Sequence, residues 1–265
     1  MSLKTYFGHE QAVAWFAEVA QRAGEHIPVM SGDVQLFVIP TYLQIPAAVA
    51  AFAGTPVLVG AQDVSPFPPG AYTGEVTAAE LAEVGVAYVE VGHAERRRLF
   101  GDTDTVTAAK AATALAHGMT PVLCIGEAEH LVSSLAALAN VEQLAAGLEG
   151  VPAGPVIVAY EPVWAIGAAE SAPHDHIATV TRALRAALDA NQARAGSRVI
   201  YGGSAGPGLL TSLGPSVDGL FLGRFAHEPE ALFAVLDEAG ALASGQPATI
   251  AVPSSGGEAS FQCER

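Results

Sequence analysis

Cysteine is nearly absent: the 265 residues contain only Cys124 and Cys263. Cys124 lies in the apolar run TPVLCIGE and Cys263 in a polar stretch, so no disulfide framework is available and a reduced, cytoplasmic setting is expected. Charge is also sparse, at 15% of residues, yet 51% are hydrophobic, which excludes a disordered chain and allows a sizeable core. Basic residues are the scarcest class. Twelve Lys and Arg face 27 Asp and Glu, a net charge of −15. That leaves no basic footprint for nucleic acid. It also repels anionic ligands at long range, so a phosphate would have to be held by backbone N–H groups and a locally placed lysine or arginine. There is no signal-peptide pattern and no uncharged apolar run of the roughly 18 residues that a membrane span needs. A soluble protein without membrane contact is expected.

What is present is a regular alternation. Seven short apolar runs read as strands: 34–40, 56–62, 86–92, 121–126, 156–162, 198–204 and 219–224. They are rich in Val, Ile and Leu, as strands buried on both faces are. Between them lie alanine- and leucine-rich helical stretches, including 8–24, 104–118 and 178–196, each closed by glycine. Strand then helix, repeated, predicts a parallel sheet. An eighth strand would have to precede the first helix, where only MSLKTYF is available; the count alone leaves a doubly wound sheet open. No composition break marks a second domain. One domain over 1–242 is expected, followed by a Ser-, Gly- and Pro-rich flexible tail over 243–265.

In parallel α/β folds, reactive groups gather at the C-terminal ends of strands. Here those ends carry Lys4, Gln62, His93, Glu95, Glu161 and Ser204. Glu161 ends a strand as apolar as VIVAY. A solvated strand-end carboxylate is an ordinary finding, and a lone histidine is more so. Facing one pocket, however, a carboxylate base and an imidazole are the pair that proton transfer beside a carbonyl requires. Glycines in YGGSAGPG and at Gly223 let backbone N–H groups approach an anion after the last two strands. The stretch VEVGHAERRRLF (89–100) crowds Glu95, Arg96, Arg97 and Arg98 behind His93, either as a site or as a structural ion cluster.

Five segments carry a resemblance: AQDVSPFPPGAYTGE (61–75), GHAERR (92–97), PVLCIGE (121–127), YEPVWAIG (160–167) and YGGS (201–204). In order and spacing they are similar to the motifs of the triosephosphate isomerase family, over most of residues 4–240. The resemblance implies a TIM (β/α)8 barrel whose first strand is short or truncated. It also implies an aldose–ketose isomerase that works by enediolate proton transfer without metal or organic cofactor. This family is itself the reference case for a carboxylate base paired with a histidine acting in its neutral form. By similarity Glu161 is the base and His93 the electrophile. Lys4 is the ammonium that holds substrate, and Glu95 the carboxylate beside it. Gly167, Gly203, Ser204 and Gly223 grip the phosphate, and 162–172 forms a lid that excludes water. Thr73 and Glu75 lie on a loop that enters a partner subunit, so a homodimer is implied. Arg97 matches a structural salt bridge, while Arg96 and Arg98 are expected on a solvated face.

The pattern departs from the family at five places. The chain starts almost at Lys4, where the family has a full strand. Ser2 stands where asparagine is usual. Ala94 replaces the serine after the histidine, removing a hydrogen bond near Glu161. The lid tip reads GAAES. LGRF replaces a glycine pair, so that Arg224 either points away or reshapes the pocket. Three readings follow: a triosephosphate isomerase as the leading one; a paralogue acting on a four-carbon erythrulose phosphate; and an inactive barrel kept as a binding scaffold, against which the retention of Lys4, His93 and Glu161 counts.

Overall fold

The computed structural model describes residues 1–168 and 170–245. Seven parallel strands pair strictly in chain order: β1 (Phe37–Val38), β2 (Leu58–Ala61), β3 (Tyr88–Val91), β4 (Thr120–Ile125), β5 (Ile157–Tyr160), β6 (Arg198–Gly202) and β7 (Leu220–Phe221). Six of the seven fall inside the runs read from sequence, and β4 starts one residue before its run, at Thr120. The helices between them cover the outer face, as right-handed parallel crossovers require.

The first strand, expected to be short or truncated, is represented by three residues. Ser2 donates its backbone N–H to Leu222 O at 3.0 Å, and Leu3 donates to Ile39 O at 3.0 Å, while Ile39 donates back to Met1 O at 2.9 Å. Ser2 and Ile39 form a parallel bridge. Met1–Leu3 therefore bonds to both flanks of the gap between β1 and β7, and neither edge is left open there.

Alternation along the strands sorts the core into two. Val158 and Tyr160 of β5 pack outward against helices, together with Val89, Val91, Leu123, Val199 and Tyr201. Ile157 and Ala159 point inward, with Ile39, Tyr88, Val122, Cys124, Ile200 and Phe221. Burial on both faces explains why these strands read as continuous apolar runs.

Two helix expectations need correction. Gly24 does not close the first helix, which runs His9–Glu25 and ends at His26 in an extended conformation. The helix expected from 178 starts earlier, at His174, and ends at Asp189; a separate 3-10 turn, Gln192–Arg194, precedes Gly196. Gly118 and Gly196 do take positive φ, at 76° and 84°. Most of the expected tail, including Cys263, lies outside the described residues. No helix among the described residues is long and apolar enough to cross a membrane.

Candidate active site

A cavity of about 450 Å³ opens at the C-terminal ends of the strands. Its walls bring together all eight residues expected to bind or react: Lys4, His93, Glu95, Glu161, Gly167, Gly203, Ser204 and Gly223. Thr73 and Glu75 are not among them; both are exposed on the loop between β2 and the helix Ala78–Glu83.

Each side chain is placed by its strand. Glu161 follows β5 directly and is 8% exposed. A Cβ at Gly202 on β6 would overlap the Glu161 side chain, so the glycine makes room for the carboxylate to cross into the barrel. His93 follows β3 after Gly92 and caps the helix Ala94–Phe100. Its Nδ1 accepts the Glu95 N–H at 3.1 Å, so the ring proton sits on Nε2. Nε2 lies 3.5 Å from Glu161 Oε2. That oxygen has no hydrogen-bond partner, and Ala94 has no hydroxyl to offer.

Lys4 follows the Met1–Leu3 segment with φ +48°, the single non-glycine residue of positive φ among those described. Strain of that kind costs on the order of 1–3 kcal/mol and collects at functional sites. Gln62 pins the turn by donating from Nε2 to Lys4 O at 2.8 Å. The ammonium meets Glu95 Oε1 at 2.7 Å. Burial works against the Lys4 charge, but the adjacent Glu95 outweighs it and the lysine pKa is raised. Burial likewise opposes the Glu95 charge, and Lys4 outweighs it and holds the carboxyl below its usual range.

The segment expected to form a lid is tied down at three points. Trp164 Nε1 donates to Glu127 Oε1 at 2.9 Å, Ala172 N–H donates to Tyr201 OH at 3.1 Å, and the Ser204 hydroxyl donates to Ala168 O. Glu127 is buried and also accepts from Asn140 at 2.8 Å, with His176 Nε2 at 3.0 Å. Gly167 takes φ +74°, which a side chain would resist. Arg224 and Phe225 line the cavity, and the Arg224 guanidinium lies 5.5 Å from the Tyr6 ring centroid. Arg224 therefore borders the cavity.

The arginine cluster is mixed. Arg97 bonds Gly92 O at 2.7 Å and Asp104 at 2.6 Å, a structural pairing. Arg96 is not on a solvated face: it bridges Asp63 at 2.9 Å and Asp102 at 3.0 Å. Its partners lie far off in sequence or beyond a loop, which is why helical spacing hid them. Sequence reasoning also passed over Glu127 and Glu90. Glu90 was readable as a lone charge inside the buried run VAYVEVG.

The fold and the cleft together define a sugar-phosphate isomerase of the aldose–ketose kind. The chain belongs to the triosephosphate isomerase family, whose model matches residues 1–239. It is 46% identical to an L-erythrulose-1-phosphate isomerase of Pectobacterium atrosepticum, over 92% of this chain and 96% of that one. It is 39% identical to a triosephosphate isomerase of Thermus thermophilus, over 87% and 93%. A second L-erythrulose-1-phosphate isomerase, from Mesorhizobium japonicum, is 36% identical over 84% and 91%.

Proposed function

We propose that the substrate is a four-carbon ketose phosphate of the L-erythrulose 1-phosphate type. The observation that carries this is the stretch where Gly223 is followed by Arg224 and Phe225, both lining the cavity. The 46% relative named for that substrate, which exceeds the 39% of the Thermus enzyme, points the same way. Triose phosphate is the second reading, favoured by a set of Lys4, His93 and Glu161 that handles any hydroxyketone phosphate.

In either case the chemistry is the same. Lys4 attracts the anion locally despite the acidic surface. His93 Nε2–H donates to the carbonyl oxygen, and Glu161 removes the proton from the adjacent carbon. Lys4 and Nε2–H then face the enediolate oxygens. His93 passes a proton from the hydroxyl oxygen to the enediolate oxyanion, and Glu161 returns its proton to the neighbouring carbon, so carbonyl and hydroxyl exchange places. Backbone groups at Gly167, Gly203 and Gly223, with the Ser204 hydroxyl, take the phosphate. For Ser204 this means exchanging its bond to Ala168 O. A closed lid excludes water, which protects the enediolate from expelling phosphate. This chemistry calls on no metal or organic cofactor.

Assays of the purified protein on L-erythrulose 1-phosphate and on dihydroxyacetone phosphate decide the substrate. A higher kcat/KM on the tetrulose is expected. A preference for the triose would overturn the four-carbon reading and leave the proton transfer intact. We also read Thr73 and Glu75 as part of a homodimer contact. The stacked pair Phe67 and Tyr72 stands exposed on the same loop, with ring centroids 4.4 Å apart. Light scattering is expected to return twice the chain mass.

A further inference from the structure

A third carboxyl group stands behind the cavity. On β3, Tyr88 points into the barrel while Val89 and Val91 point out, so Glu90 points in, below His93. It is 4% exposed and is not part of the cavity wall. Its nearest basic atom is His93 Nε2, 3.9 Å from Oε1, and Oε2 has no hydrogen-bond partner. The other titratable groups that act on it are Glu161 and Lys4, with the Cys124 thiol and the Met1 amino group on neighbouring elements.

The one proton on Nε2 thus faces two buried carboxyl groups, Glu161 Oε2 and Glu90 Oε1. Two carboxylates sharing one partner in a dry site do not both ionise cheaply. Glu161 must be ionised to act as base. Glu90 is deeper and has no full partner; burial pushes its carboxyl up, the neighbouring His93 opposes this, and Glu161 adds to it, which favours Glu90 as the member that holds a proton.

We propose that Glu90 is a positioning residue for the isomerisation: from inside the barrel its carboxyl group backs the His93 ring, whose proton the Glu95 N–H keeps on Nε2, and limits this wall of the site to one negative charge. The proposal rests on the assignment of His93 and Glu161 above. It acts in a definite direction with pH. While Glu90 is neutral, Nε2–H is free to donate to substrate. Once Glu90 ionises at higher pH, a second charge draws Nε2–H inward and repels the enediolate, and turnover falls.

Two variants and two readouts test this. Glu90→Gln keeps the shape and cannot ionise; Glu90→Leu keeps the bulk without polar atoms. Nitrogen NMR of the histidines, with His93 assigned by comparison with His93→Gln, needs no substrate. The wild type is expected to show the Nε2–H form at neutral pH and a shift step on the alkaline side that coincides with a fall in kcat. Glu90→Gln should keep kcat near wild type at neutral pH and lose both the step and the fall. Glu90→Leu should lower kcat about tenfold or more with KM little changed, the mark of a misplaced rather than missing group. An alkaline step and fall that persist in Glu90→Gln would overturn the proposal, as would Glu90→Leu with wild-type kcat. Failure of the underlying reading looks different: Glu161→Gln would retain full turnover, while the NMR step would still report on Glu90.

Discussion

Two buried ionic clusters lie within a few residues of each other in sequence and are built on opposite rules. Outside the barrel, Lys110 is 3% exposed and sits between Asp63 at 2.8 Å and Asp102 at 2.7 Å. Arg96 bridges the same two carboxylates, so two cations answer two anions. Inside, three carboxyl groups, Glu90, Glu95 and Glu161, share one lysine and one imidazole. Glu90 Oε2 and Glu161 Oε2 remain without partners. A fully paired network fixes structure; a network left short of partners holds groups whose protons can move. Both clusters draw on the helix Ala94–Phe100 and its cap, so one helix serves the two purposes with different residues.

The contrast can be broken at either end. The largest effect is expected from Glu161→Gln, which should lower kcat by roughly 10²–10⁴-fold, the contribution of a positioned base, without lowering stability. Steady-state kinetics and a thermal melt measure the two sides; a loss of stability in place of activity would erase the distinction. Next comes Lys110→Met. Removing one member of a buried pair costs about 3–5 kcal/mol, because the carboxylates left behind are uncompensated. Denaturant unfolding should show that loss, with kcat of the folded protein unchanged. A silent Lys110→Met would mean that Arg96 alone suffices.

The smallest effect sharpens the contrast. Burial raises the Glu90 pKa in the folded state. Its carboxyl therefore contributes stability that is complete below the unfolded value, about 4.3, and is lost as pH rises through the folded value. Glu90→Gln, which has nothing to ionise, should match the wild type in acid and become the more stable of the two as pH rises. Unfolding midpoints taken across that range measure it; equal slopes would show that Glu90 is already paired.

Much of this was legible because burial leaves a pattern. Strands buried on both faces read as apolar runs, and all seven were found. His93, Glu95, Glu161 and Ser204 stood out because they lie at the ends of such runs, where a polar side chain is conspicuous; Gly167 and the role of Lys4 came from the family resemblance. Local pattern fails where the determinant is a distant partner. Nothing in MSL marks three residues that bond to Ile39 and Leu222. Arg96 reads as surface because its acceptors lie on a neighbouring loop and beyond its own helix. Glu90 was hidden by its own strand: the six residues around it look so strongly like a core that the charge passed as part of it. Gly24 was misread because a glycine near a helix end is a stop signal only when its φ is positive, and sequence does not report φ.

The seam at Met1–Leu3 bears on how the molecule comes to exist. Ser2 is hydrogen-bonded to Leu222, from the far end of the strand order. A contact spanning so much chain forms late, since its loop-closure entropy is repaid only when the intervening strands are in place. Lys4 is the next residue but one after Ser2, and its turn is pinned by Gln62. The Lys4 ammonium therefore takes its position only when the ring shuts. An incompletely assembled chain has a sheet but no cleft, and activity regained during refolding would lag behind recovery of secondary structure.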